Sequence, residues 1–282
     1  MFWRKNRLRF AAFVCLLLIC TLSVVSKLFE KGPIPASGEL TELSILMYHH
    51  VLKDASYWGK YVISPDEFEE DLRFLQRNGY KTVSLENVLD FVKKGKPLPK
   101  KAVMLTFDDG YLSFLSYIQP LLEKYDACAV LSVIGKSSDI YSDNQDKNPA
   151  YAHVTWEDVK ALAASKRVEI ANHSYDLHET GRRKGSMRRA GEDVAAYEEL
   201  FMQDTLKNQT LIKKATGKQP VCYTYPFGFI SKETIPVLKE MDYLITLSCT
   251  EGVNYLSGAE EELFGLKRFN RPHGKSASVI LR

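Results

Sequence analysis

Two adjacent aspartates, Asp108 and Asp109, stand directly behind the apolar run AVMLTF and in front of Gly110. Burying one unpaired carboxylate is expensive, and two neighbours without a partner repel strongly enough that one takes up a proton. The pair therefore calls for a cation. Further along, VEIANHSYDLHETG offers His173 and His178 with four residues between them, again behind a short strand-like run. Two imidazoles from one loop and an aspartate oxygen from another make a two-histidine, one-carboxylate ligand set. Such a set leaves positions open for water and substrate, so it suits a catalytic metal and not a structural one. Taken singly, Asp-Asp-Gly is an ordinary turn and a spaced histidine pair an ordinary surface loop. Their joint placement carries the inference.

Short β-branched or apolar runs at 44–48, 102–107, 127–133, 168–171, 221–225 and 243–248 alternate with longer segments of helical period. That alternation predicts a parallel sheet with crossover helices, either a (β/α) barrel or an open doubly wound sheet. SPDEFEEDLRFLQRNG is the clearest helix, with Ser64 as N-cap, Pro65 in the first turn and Phe68, Leu72 and Leu75 on one face. LENVLDFVKKG, LSFLSYIQPLLEKY, TWEDVKALAAS, KETIPVLKEM and the long DVAAYEELFMQDTLKNQTLIKKATG predict further helices, and the polar stretch 137–153 a loop that could wall a groove. In both candidate architectures functional residues gather at the carboxyl ends of strands. Tyr48-His49-His50, Asp108-Asp109, Asn172-His173 and Pro226-Phe227-Gly228 follow the first, second, fourth and fifth strands, all at that end.

The chain of 282 residues has a net charge of +3, too small to imply a nucleic-acid partner. MFWRKNRLRF carries four basic residues and precedes an uncharged apolar run from Phe10 to Val25. This predicts a membrane-targeting segment at 1–31, an uncleaved anchor in preference to a cleaved signal, with the basic flank cytoplasmic and the remainder outside the membrane. GPIPASGEL reads as a linker within 32–42, followed by a single domain at 43–282. Cys15 and Cys20 fall in the anchor; Cys128, Cys222 and Cys249 show no pairing pattern and are expected as buried thiols.

TFDDG, NHSYDLH and YPFG, in this order and at these separations, resemble the principal motifs of the polysaccharide deacetylase family, carbohydrate esterase family 4, over about Leu43 to Arg271. The resemblance implies an α/β fold, a distorted (β/α) barrel, and removal of acetyl groups from N-acetylated amino sugars in a polymer, which the expected anchor would place outside the cytoplasm. It implies one divalent metal, zinc foremost with cobalt, nickel, manganese or iron compatible, held by Asp109, His173 and His178, and Asp108 as general base. One aspartate then holds the cation while its neighbour accepts a proton from the attacking water. The backbone N–H of Phe227 would stabilise the oxyanion. His49 in LMYHHV matches the general acid of the poly-N-acetylglucosamine branch, with His273 in RFNRPHG as the second candidate. His50 would face away, since alternate residues of an extended chain do.

The spacing of the histidine pair, four residues where many members have three, is that of the poly-N-acetylglucosamine branch. Many members also carry an arginine before the third motif to orient the base; CYTYPFG has none, so Arg268, with Arg271 behind it, is the expected substitute. Trp156 could flank a sugar but is better explained by packing after Thr155 as N-cap. Two other functions compete: a catalytically silent polysaccharide-binding protein, against which the intact ligand set argues, and a glycosidase, whose two carboxylates must flank a bond at about 5–9.5 Å. The number of subunits is not encoded in any of these patterns.

Overall fold

The computed structural model describes residues 40–281. The expected anchor and most of the linker lie outside them. Among the described residues no helix is long and apolar enough to cross a membrane.

The strands are, in chain order, β1 (Thr41–Tyr48), β2 (His50–Val51), β3 (Val62–Ile63), β4 (Lys81–Thr82), β5 (Ala102–Phe107), β6 (Ala129–Val133), β7 (Val168–Asn172), β8 (Cys222–Thr224), β9 (Ile245–Leu247), β10 (Asn254–Leu256) and β11 (Phe269–Asn270). The main sheet has the order β10-β1-β5-β6-β7-β8-β9, with β4 beside the start of β5 and β11 beside β1; only β10 is antiparallel to its neighbour. It curls into a half-barrel. Segment 266–270 then crosses from β9 to β1: Leu266 bridges Leu247 in parallel, and three residues on, β11 pairs with Leu46 and Met47. Helices α1 (Pro65–Arg77), α2 (Leu85–Lys94), α3 (Gln119–Lys124), α4 (Gly135–Asn144), α5 (Trp156–Ala164), α6 (Val194–Thr216), α7 (Thr234–Glu240) and α8 (Ala277–Ile280) lie between or after the strands.

Period-two alternation sorts each strand between two cores. Along β1, Leu43 and Ile45 join one apolar cluster with Met104, Val130, Cys222 and Ile245, while Leu46 and Tyr48 join the other with Phe68, Val103 and Phe107. The same alternation carries Met47 and His49 to the side of Leu43, and Thr106 and Asp108 to the side of Met104. The face is apolar low in the sheet and polar at its carboxyl end, which places the chemistry.

The sequence-predicted helix at 112–125 is broken into a π turn at Phe114–Ile118 and the short α3. Pro120 has no N–H to offer and its ring crowds the preceding turn, so a wider turn replaces regular α geometry there. Part of the stretch expected as a loop, 137–153, is α4 instead. It lacks an apolar stripe and is held by polar contacts, Asp139 accepting from the indole of Trp156 at 2.7 Å and from the Tyr175 hydroxyl at 2.8 Å. That contact is what Trp156 does; it does not border the cavity below. Cys222 is buried, Cys128 and Cys249 are half-buried, and all three are free thiols.

Candidate active site

β1, β5, β7 and β8 end at one rim, and there a cavity of about 460 Å³ opens. His49, Asp108, Asp109, His173, His178 and Phe227 all border it. Asp108 reaches it by alternation alone, but Asp109, one residue on, should point to the opposite face. It does not, because its backbone turns into the left-handed region (φ 71°), followed by Gly110 at the same φ. A non-glycine residue held there stores backbone strain, which gathers at functional positions. His153, inside the stretch expected as a loop, donates its Nδ1–H to the Asp109 carbonyl at 2.8 Å and so pins this turn.

Asp109 Oδ1 lies 3.4 Å from His173 Nε2 and 3.1 Å from His178 Nε2. One donor atom from each of the three residues falls within 4.8 Å of the others. His173 Nδ1 faces the Thr224 carbonyl at 2.8 Å, and a carbonyl only accepts, so Nδ1 carries the hydrogen. The neutral ring therefore aims a lone pair from Nε2 at a carboxylate oxygen. Only a proton or a metal cation between them makes that arrangement favourable, and a second imidazole nitrogen converges on the same oxygen. The donor set fits a divalent metal, and the Nδ1 hydrogen bond is the kind of outer contact that orients a ligating histidine.

Asp108 meets a different partner. Arg268 donates to it through two arms, at 2.7 and 2.8 Å, with Arg268 fully buried and Asp108 2% exposed. The guanidinium is itself held by the Ser248 carbonyl (2.8 Å) and the Thr106 hydroxyl (3.2 Å). Burial pushes the Asp108 pKa up, yet the Arg268 charge and hydrogen bonds outweigh it and hold the carboxyl below its ordinary value. Asp109 is lowered further still, its burial overcome by contacts with His173 and His178.

Arg271 is directed elsewhere: its Nε donates to the buried Asp71 at 2.7 Å, fastening the chain end to α1. His273 also turns away, its Nδ1 2.9 Å from Glu67 and its ring against Trp58, outside the cavity. His49 borders the cavity with its ring 4.7 Å from that of Tyr61; burial lowers its pKa, and its Nδ1 is buried without a partner among the described residues. His50 also borders the cavity instead of facing away, but its Nε2–H donates to the Pro149 carbonyl (2.9 Å) and its ring stacks on Tyr111 at 4.0 Å. Its chain bends into β2 immediately after β1, so simple alternation does not continue. Phe227 takes a positive φ of 57°, and its N–H has no acceptor among the described residues. Its ring, 44% exposed, lies 4.4 Å from that of His178.

The deciding comparison is with a family model: residues 95–245, more than half of the chain, match "Polysaccharide deacetylase". The chain belongs to the polysaccharide deacetylase family. It is similar to the poly-beta-1,6-N-acetyl-D-glucosamine N-deacetylase of Escherichia coli strain K12, at 28% identity over 246 residues, covering 80% of this chain and 36% of that protein. The chain thus spans about a third of that relative's length. Among solved structures, IcaB from Ammonifex degensii has a TM-score of 0.69 at 27% identity, covering 83% of this chain and 94% of that one. A de-N-acetylase from Aggregatibacter actinomycetemcomitans reaches 0.72 at 24% identity, covering 85% and 98%, which speaks for the fold. The curled sheet with its helices is the deacetylase fold. Asn270, His153 and Tyr111 are site neighbours that no sequence motif indicated; alternation from Arg268 would not have found Asn270 without knowing that 266–270 rejoins β1.

Proposed function

We propose that this deacetylase-family protein hydrolyses the acetamide of N-acetylglucosamine residues in a polymer outside the cytoplasm. The observation that carries the reading is the convergence of Asp109, His173 and His178 on one point beside a buried, arginine-paired Asp108. Those three residues would hold one divalent cation, zinc foremost, with cobalt, nickel, manganese and iron compatible with the same donors. Bound there, the cation supplies Lewis acidity to the reaction. Asp108, kept ionised by Arg268, takes the proton of the attacking water. The free N–H of Phe227 donates to the oxygen that becomes negative. His49 delivers a proton to the departing amine, a role for which its place on the cavity supports it over His273.

The name of the E. coli relative supports a β-1,6-linked poly-N-acetylglucosamine as substrate ahead of peptidoglycan or chitin-type oligomers. The basic and apolar composition of residues 1–31 supports a membrane tether, with 32–42 as linker and 43–282 as the acting domain. The test is acetate release by the purified protein from N-acetylglucosamine oligomers and from peptidoglycan, with and without a chelator. Acetate that a chelator abolishes and zinc restores is the expected result. A folded, metal-loaded protein that releases none from any polymer would instead be a polysaccharide-binding member of the family. Reducing sugar in place of acetate would point to glycosidic cleavage.

The two acid candidates separate by mutation. His49→Gln is expected to lower kcat by about 10²–10⁴-fold, the usual worth of a positioned acid. His273→Gln should stay within a few-fold of the wild type. A reversal of these two in steady-state acetate assays would move the role to His273.

A further inference from the structure

His173 and His178 sit on a loop that β7 alone does not hold. The strand ends at Asn172, Ser174 takes a left-handed conformation (φ 70°), and no regular element covers the residues up to His178. What grips the loop is α6. Asp204 and Asn208, four residues apart, project from one face of that helix. Asp204 accepts from two successive backbone N–H groups, Tyr175 at 2.8 Å through Oδ1 and Asp176 at 2.7 Å through Oδ2. The Asn208 NH₂ sits among three acceptors, the Asn172 side chain (2.8 Å), the Ser174 carbonyl (2.9 Å) and the Val133 carbonyl (2.9 Å), and its two hydrogens are shared between them. Asn172 in turn accepts from Ser174 N–H and donates to the Thr205 carbonyl. From the start of α4, Gly135 N–H and Lys136 N–H donate to the Ser174 and Tyr175 carbonyls. A Cβ on Gly135 would stand 2.5 Å from Asn208 Oδ1, so the approach depends on that glycine.

We propose that Asp204, assisted by Asn208, is a positioning residue for the metal site: it fixes the 173–178 loop so that both imidazoles arrive ready for a cation, and thereby sets the affinity of the site. The inference rests on the reading of Asp109, His173 and His178 as ligands. Two oxygens on two consecutive N–H groups define the loop's orientation as well as its position, which one hydrogen bond would not. Burial pushes the Asp204 carboxyl up to about 6, so its charge is held at an energetic disadvantage. A residue kept purely for stability would not need that charge. Asparagine has the same shape but only one acceptor, and its NH₂ would face a backbone N–H.

The experiment is zinc affinity of the purified metal-free protein, measured by competition with a chromophoric chelator, beside thermal unfolding without metal. Asp204→Asn is expected to weaken zinc about 10- to 100-fold, the range found for partners that orient metal ligands. Its metal-free unfolding temperature should lie close to that of the wild type, because the lost hydrogen bond is offset by removal of a charge that its partly buried surroundings disfavour. Asp204→Ala should weaken zinc more than Asp204→Asn, and amide exchange at Tyr175 and Asp176 should speed up in both. Folded Asp204→Asn and Asp204→Ala proteins that bind zinc within two-fold of the wild type would overturn the proposal. The control is Asp109→Ala: undiminished zinc binding there would overturn the ligand assignment itself, an outcome distinct from failure of the clamp.

Discussion

Replacing Arg268 by methionine is expected to destabilise the protein by about 3–5 kcal/mol, the cost of leaving one member of a buried ion pair without its partner. Methionine fills much of the space, so the loss is electrostatic. Asp108 would keep its burial and lose the cation that offsets it. Its pKa, now held below the ordinary value, would rise above it. The two signs give opposite pH dependences. In the wild type, the folded-state pKa lies below that of the unfolded chain (about 3.9), so the stabilisation is present above that value and is lost as the pH falls through the folded one. In Arg268→Met the folded state prefers the protonated carboxyl, and the deficit shrinks as the pH is lowered. Urea unfolding at neutral and acidic pH measures both, and a deficit that is constant with pH would show that the pair is not electrostatic in effect. Activity should fall too, since a protonated Asp108 cannot take a proton. Arg268→Lys keeps a charge but not the two-armed fork, and should land between the two.

The expected substitution of Arg268 for the missing arginine could be named from the sequence but not placed. β5 was legible to the residue, since AVMLTF is a continuous apolar run bounded by charge, as a strand buried on both faces must be. α1 was equally legible: Ser64 caps it as read, and the structure adds Glu67 as the other half of a capping box. Arg268 was harder, because its position depends on Leu266 rejoining β9 and Phe269–Asn270 rejoining β1. A two-residue strand has no periodicity to detect. The same holds for β2 and β3, whose pairing brings Tyr61 against His49. Asp204 and Asn208 were invisible for another reason: on a long helix two polar residues four apart read as a solvated face, and only the packing of α6 against the histidine loop shows Asn208 buried and Asp204 half-buried beneath it. His153 failed to register because its value lies in one hydrogen bond to a backbone carbonyl, and backbone carbonyls leave no mark in a sequence.

The adjacent aspartates should separate cleanly in function, although they are neighbours in sequence. Asp108→Asn is expected to lower kcat by about 10²–10⁴-fold while zinc affinity stays within a few-fold of the wild type. The reason lies in their partners: Asp108 touches Arg268, and Asp109 touches the two histidines. In Asp108→Asn the side-chain NH₂ would oppose one guanidinium arm, so some stability is lost as well, and rates must be taken at a temperature where the variant is folded. Asp109→Asn should do the reverse, losing zinc first and activity with it, with partial recovery at high zinc concentration. Acetate release across a zinc titration distinguishes the two, since added metal restores Asp109→Asn in part and Asp108→Asn not at all. Should Asp108→Asn respond to added zinc and Asp109→Asn not, the roles of holding the cation and accepting the proton would have to be exchanged. The strained backbone of Asp109 argues against that exchange, because only its left-handed turn brings a second carboxylate to the inner face where both histidines wait.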